Sequence, residues 1–372
     1  MAQRAWGQRG EFTFRAMISL EPATIRDGVY PELFQQGETA HGAPIMDGQH
    51  PHDFVMELAA MYDFKLSRNM LFSLYAAPVG DPAIGPTAYP HRLSASEDPI
   101  AALGHHQQDS THIAFNVLTG GLSYRWTRVE LSGFHGAEPT EARWHLQPSP
   151  NGGAIDSIAT RLTISPAPDW TGQYSIAHIT SPEALYPGED QQRQTASVMY
   201  HHSFRLRPMP SAMAGMGMHM TADKKGMPRM HMDAGQKSPM HMSPEPATDL
   251  AATVVWGRTR SIADNSKANS YLAEVRLRFA TRNYVWTRME NAARTNELLL
   301  NPGSRLPAGF REEPIGHVAA YSFGYDHDFA LFPHLLAAPG VQVTVYRTPD
   351  TLRSPYGATP TSEQIFVRFR VR

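Results

Sequence analysis

The chain has 372 residues, with 33 Lys and Arg against 35 Asp and Glu, and a net charge of −2, which leaves no electrostatic case for a nucleic-acid partner. Cysteine is absent, as suits an exported protein that needs no disulfides. No apolar run long enough to form a transmembrane helix occurs, although a transmembrane β-barrel would be polar overall too, because its strands alternate lipid-facing and lumen-facing residues.

In chain order, the N-terminal MAQRAWGQRGEF lacks the apolar core of a signal peptide, about 7–15 residues long. The chain is therefore expected to be mature or truncated. Fourteen alternating strands are predicted, at 11–19, 55–65, 69–78, 111–119, 122–134, 155–165, 169–179, 194–204, 249–259, 269–280, 283–293, 315–328, 340–347 and 363–371. In YLAEVRLRFA, Tyr271, Ala273, Val275, Leu277 and Phe279 take one face, and Glu274, Arg276 and Arg278 the other. IFVRFRVR repeats the pattern, with Ile365, Val367, Phe369 and Val371 opposite Arg368, Arg370 and Arg372. Alternation alone also suits a soluble sandwich. The connectors separate the two readings. Short ones (67–69, GG at 120–121, 166–168, 281–283) mostly alternate with long ones (20–54, 79–110, 135–154, 294–314). Outer-membrane barrels do this, with tight periplasmic turns, long external loops and an even strand number. The expected fold is all-β: one transmembrane antiparallel up-and-down barrel over 1–372, of about fourteen strands (12–16).

Residues 205–248 join the eighth and ninth strands, where a short periplasmic turn belongs. Ten of the 18 methionines lie between Met209 and Met242. The segment repeats Met-His-Met three times, as Met218-His219-Met220, Met230-His231-Met232 and Met240-His241-Met242. Without Val, Ile or aromatic residues it cannot offset its chain entropy by burial, so a disordered periplasmic loop is expected. Thioether sulfur is soft and imidazole borderline, which points to Cu(I) or Ag(I) as the bound ion. No organic cofactor is indicated.

YRWTRVE at 124–130 echoes YVWTRME at 284–290, and each is expected to follow a tight turn. Trp126 and Trp286 are candidates for the membrane interface. The faces assigned inward carry Arg128, Arg161, Arg276, Arg278, Arg288, Arg368 and Arg370 against Glu130, Glu274 and Glu290. These pore-lining candidates predict a positive lumen that favours anions if it is open.

Histidines also gather in the early external loops. DGQHPHD supplies Asp47, His50, His52 and Asp53, YPHR supplies His91, and GHHQQDSTH supplies His105, His106, Asp109 and His112. His50, His52, Asp53, His105 and His106 are secondary metal candidates. The same groups could instead make the hydrogen bonds that fold these loops into a plug. No GxSxG, HExxH, P-loop or dinucleotide fingerprint is present, so an enzyme is not expected.

LFQQGETAHGAPIMDGQHPHDFVMELAAMYDF, GDPAIGP and GHHQQDSTHIAFNVLTGGL resemble a family of uncharacterised bacterial outer-membrane β-barrel proteins, over most of the chain from about Phe12. The resemblance implies the barrel fold and carries no catalytic residues. The Met-His-Met repeats are similar to those of copper-resistance outer-membrane proteins of the B type. There the Met/His segment precedes the barrel, whereas here it interrupts it. The leading expectation is an outer-membrane barrel in copper or silver handling or efflux. Its partners would be outer-membrane lipid, the metal ion and a periplasmic metal chaperone or efflux component. The alternatives are a porin-like channel for small solutes with an incidental Met-rich loop, and a soluble periplasmic metal-binding β-protein.

Overall fold

A computed structural model describes residues 1–25, 28–109, 114–146, 153–204, 248–301 and 303–371. The Met/His segment, and with it Met218 to Met242, lies outside the described residues, as does His112.

Fourteen strands form an antiparallel up-and-down wall: β1 Gly10–Ile18, β2 Val55–Ser67, β3 Met70–Gly80, β4 Ala114–Tyr124, β5 Thr127–His135, β6 Ser157–Ala167, β7 Trp170–Ile179, β8 Gln191–Phe204, β9 Thr248–Ser261, β10 Lys267–Phe279, β11 Asn283–Thr295, β12 Pro314–His327, β13 Leu335–Arg347 and β14 Thr361–Val371. Each pairs with its sequence neighbour. The fourteen expected strands are all present. Two short strands that alternation did not reveal, Ala2–Trp6 beside β1 and Phe329–Phe332 beside β13, bring the sheet to sixteen. Among the described residues the ladder joins β1 to β14 through the wall, with no pairing between its two ends.

Burial follows the pleat. Along β5, Val129 and Leu131 are exposed, at 53% and 56%, while Glu130 and Ser132 are buried. Along β13, Val341, Val343 and Val345 face out, and Gln342, Thr344 and Tyr346 face in. The usual arrangement of a soluble sheet is thus inverted: apolar side chains cover the outside and polar ones the inside. At the short-turn end the outer face carries Tyr124, Trp126, Trp170, Phe204 and Phe279, all exposed.

One turn departs from expectation. Gly120 and Gly121 lie within β4, and the chain reverses at Arg125 and Trp126, with Arg125 at φ 52°. Gly-Gly usually signals a hairpin turn. Here Gly121 serves packing, since a Cβ on it would meet the Arg128 guanidinium at 2.7 Å. The echoed heptapeptides are therefore not equivalent. Trp126 sits exposed in a turn, whereas Trp286 lies inside β11, buried, and donates to Gln342 Oε1 at 2.5 Å.

Candidate functional site

The interior holds chain. Segment 81–109, between β3 and β4, crosses it and bonds to inward side chains round the wall. Ala83 N donates to Ser132 Oγ on β5 at 2.9 Å, and Gly85 N to Ser175 Oγ on β7 at 2.8 Å. Arg92 binds Asp109 within the segment and Glu274 on β10, each at 2.8 Å. Ser94 hydroxyl donates to the same Glu274 oxygen at 2.8 Å. Arg288 on β11 reaches Asp98 Oδ2 at 3.2 Å and Glu274 Oε2 at 3.3 Å. Glu97 binds Arg368 and Arg370 of β14, and Leu103 N donates to Glu290 Oε2 at 2.6 Å. One segment thus touches strands from β5 to β14, so the sheet curls round it as round a plug. Close approach requires a small wall residue at Gly257, where a Cβ would meet the Gln107 carbonyl oxygen at 2.2 Å.

Segment 28–53, between β1 and β2, packs against the plug. Glu32 Oε1 accepts from Ala101 N at 3.0 Å, and burial pushes the Glu32 carboxyl well above its ordinary range. Phe34, fully buried, stacks obliquely on Tyr346 and Tyr356, with centroids 5.0 and 4.7 Å away. The Gly37 backbone, at φ 89°, takes the left-handed turn that glycine allows, and it presents Glu38 to the histidines of the plug.

The two segments meet in a His/Glu cluster. Glu38 is buried, and its Oε1 lies 3.7 Å from His105 Nε2 and 3.6 Å from His106 Nε2. His50 Nε2 lies 3.4 Å from the other oxygen, Oε2. His105 and His106 open the short helix His105–Gln108. His105 Nδ1 lies 2.7 Å from the Ala102 carbonyl and His50 Nδ1 2.9 Å from that of Pro51. A carbonyl can only accept, so Nδ1 carries the proton in both rings and Nε2 turns towards Glu38. Burial pulls His50 down to about 4 and His106 to about 3, so both are neutral at physiological pH. Beside the cluster opens a small polar cleft lined by Glu38, His50, Glu138, Arg143 and Glu183. Burial holds the Glu138 carboxyl well above its ordinary range.

Of the secondary metal candidates, His50, His105 and His106 come together. His52 turns to Glu21, 2.8 Å away, and Asp53 to Arg143 at 3.0 Å. His91 is exposed. Glu38 went unrecognised, because GETAHG carries no ligand pattern and only the fold brings it under His105 and His106, nearly seventy positions along.

The pore-lining candidates are all engaged by other groups. Arg128 and Arg161 bind Glu130 at 3.1 and 2.8 Å, and Arg161 also donates to the Gly85 carbonyl. Arg276 and Arg278 share Asp249. Glu274, Arg288, Glu290, Arg368 and Arg370 hold the plug as described, and Arg370 also binds Asp326 and Asp328. The expected positive lumen omitted these acids. Asp249, Asp326 and Asp328 are strand or turn residues, and Glu97 and Asp98 arrive on the plug, so the arginine charge is matched within the interior.

No protein-family model matches the chain, and no curated protein matches it. Among solved structures, the anion-selective porin from Comamonas acidovorans is similar at 8% identity and a TM-score of 0.40, over 88% of this chain and 92% of that one. The outer membrane channel DcaP of Acinetobacter baumannii is similar at 10% identity and 0.40, over 99% and 88%. OmpT, an outer membrane protein of Vibrio cholerae, is similar at 7% identity and 0.38, over 97% and 96%. Likenesses this distant carry no weight beside the chain's own strand ladder, outer face and plug.

Proposed function

We propose that the protein is a bacterial outer-membrane β-barrel that acts as a porin-like, restricted passage for small solutes, with segment 81–109 as the restriction. The location is supported by the inverted burial. Contiguous exposed apolar surface on this scale is a liability in water, whereas an outward apolar band edged by aromatic residues is what a bilayer solvates. The observation that carries the passage reading is the nature of the plug's attachment. It is held by side-chain ion pairs and hydrogen bonds to a wall whose backbone is already satisfied by its own ladder. It can therefore shift without breaking the wall. Planar-bilayer recording tests this. Wild type should conduct weakly, and the double variant Glu97→Gln, Asp98→Asn, which loosens the plug from Arg288, Arg368 and Arg370, should conduct severalfold more. Silence from both would overturn the passage reading.

A second reading, soft-metal handling, rests on the sequence of the Met/His segment alone. Three Met-His-Met units supply six thioethers and three imidazoles, a set that favours Cu(I) and Ag(I) over Zn(II). An even number of strands precedes the segment, which supports a location on the short-turn side, the periplasmic side in such barrels. A competition titration with a Cu(I) chelator, on the full chain and on a variant lacking 212–242, decides it. Equal copper uptake by the two would remove the segment from consideration.

A further inference from the structure

We infer that Glu38, His105 and His106, with His50 on the far oxygen of the same carboxylate, form a site for a borderline divalent cation of the zinc, nickel or copper(II) type, and that the bound ion joins the two inward-folded segments. The site lies on the long-loop side of the wall and shares no residue with the Met/His segment. It therefore goes beyond both readings above.

Three observations carry it. The first is spacing. Bonds of about 2.0–2.1 Å at tetrahedral angles set neighbouring ligand atoms about 3.3 Å apart. The distances from Glu38 Oε1 to His105 Nε2 and His106 Nε2 are 3.7 and 3.6 Å, and the three ligand atoms all lie within 4.8 Å of one another. Both distances from Glu38 are thus within a few tenths of an ångström of that spacing.

The second is orientation. His105 and His50 each give their Nδ1 proton to a backbone carbonyl, at 2.7 and 2.9 Å. This is the outer support that metal-ligating histidines receive, and it fixes Nε2 as the ligand atom. The second nitrogen of His106 faces another carboxylate, Glu138 Oε1, at 3.9 Å. Glu38 is supported likewise: Gln49 Nε2 donates to its Oε1, and His50 N to its Oε2 at 3.0 Å.

The third is setting. Glu38 and His105 are 4% and 1% exposed, yet the polar cleft lined by Glu38, His50, Glu138, Arg143 and Glu183 leads to them. Imidazole and carboxylate without thiolate suit zinc, nickel and copper(II). Three protein ligands leave a fourth position for water or for His50.

An ion here would tie position 38 of the first segment to positions 105 and 106 of the plug. The test uses the full chain in detergent, dialysed against micromolar zinc chloride. Retention of zinc is expected, with an X-ray absorption spectrum showing a first shell of nitrogen and oxygen, outer scattering from at least two imidazoles, and no sulfur. His106→Gln and Glu38→Gln should each retain one zinc fewer per chain, with unchanged heat-modifiable gel migration. A sulfur shell would put the ion on the methionines instead and overturn the proposal, as would wild type emerging free of zinc. Equal zinc retention by wild type and correctly migrating variants would overturn it too. Should the variants fail to fold, the spectrum of the wild-type protein decides alone.

Discussion

The two faces of the wall obey different rules. On the outer face, Val129, Leu131, Val254, Phe323 and Val343 need only be apolar, because a fluid solvent adapts to any shape. On the inner face, Glu274 must be Glu. Its two oxygens hold Arg92 and Ser94 of the plug and Arg288 of the wall, and a shorter or neutral side chain satisfies none of these as well. The outside therefore tolerates change of shape and resists charge, while the inside tolerates charge only in matched sets.

Three experiments sharpen or break that contrast. The largest effect is expected from Glu274→Ala. Two arginines, each only 1% exposed at the side chain, would lose a shared counter-ion, and removing one partner of a buried pair costs about 3–5 kcal/mol. Urea unfolding of the refolded protein in lipid vesicles measures it. A loss below about 1 kcal/mol would mean that the plug is loosely held, and the inner face would lose its special status.

Next comes Leu131→Arg, on the outer face midway along β5. Near the bilayer midplane a charge costs about 2–4 kcal/mol, against a few tenths for Leu131→Ala if lipid fills the space. The same assay compares them. Equal costs for the two would show that the outer face is not in lipid.

The smallest effect concerns pH. Burial, reinforced by Glu312 and Glu183, pushes the Glu297 carboxyl up to about 9. Burial with Glu183 pushes Glu312 up to about 8. Both lie in the connector after β11, and Glu297 Oε2 accepts from Gly37 N at 3.1 Å. A raised carboxyl binds its proton more tightly in the folded state. Its stabilising contribution is therefore complete below its unfolded value of 4.5 and is lost as pH rises through about 8–9. Between pH 6 and 9.5 the wild type should lose stability, read as a fall in its urea midpoint. Glu297→Gln should flatten that dependence. A flat wild-type profile would contradict the assignment.

How much of this was legible follows from the same contrast. Period-two alternation is local, and it located the wall strands from Phe12 to Val371 because an apolar outer side and polar inner contacts act on every strand alike. It failed at Gly120 and Gly121, which look like a turn in any window of sequence. The role of Gly121 depends on Arg128, brought alongside by the next strand. It also missed Ala2–Trp6, whose side chains are all exposed and leave no alternating trace.

By itself the sequence determined the all-β up-and-down architecture and the inward placement of the Arg and Glu rows. Each follows from spacing along one chain. Only the tertiary structure decided what fills the interior. Charge matching between Arg288, Arg368 or Arg370 and the plug residues Glu97 and Asp98 joins positions up to 273 apart, and the Glu38 cluster depends on a left-handed turn at Gly37 meeting a helix from another loop. Such pairings have no period. They exist only once the wall has curled and excluded water, because it is the loss of water that makes a buried charge require a particular partner.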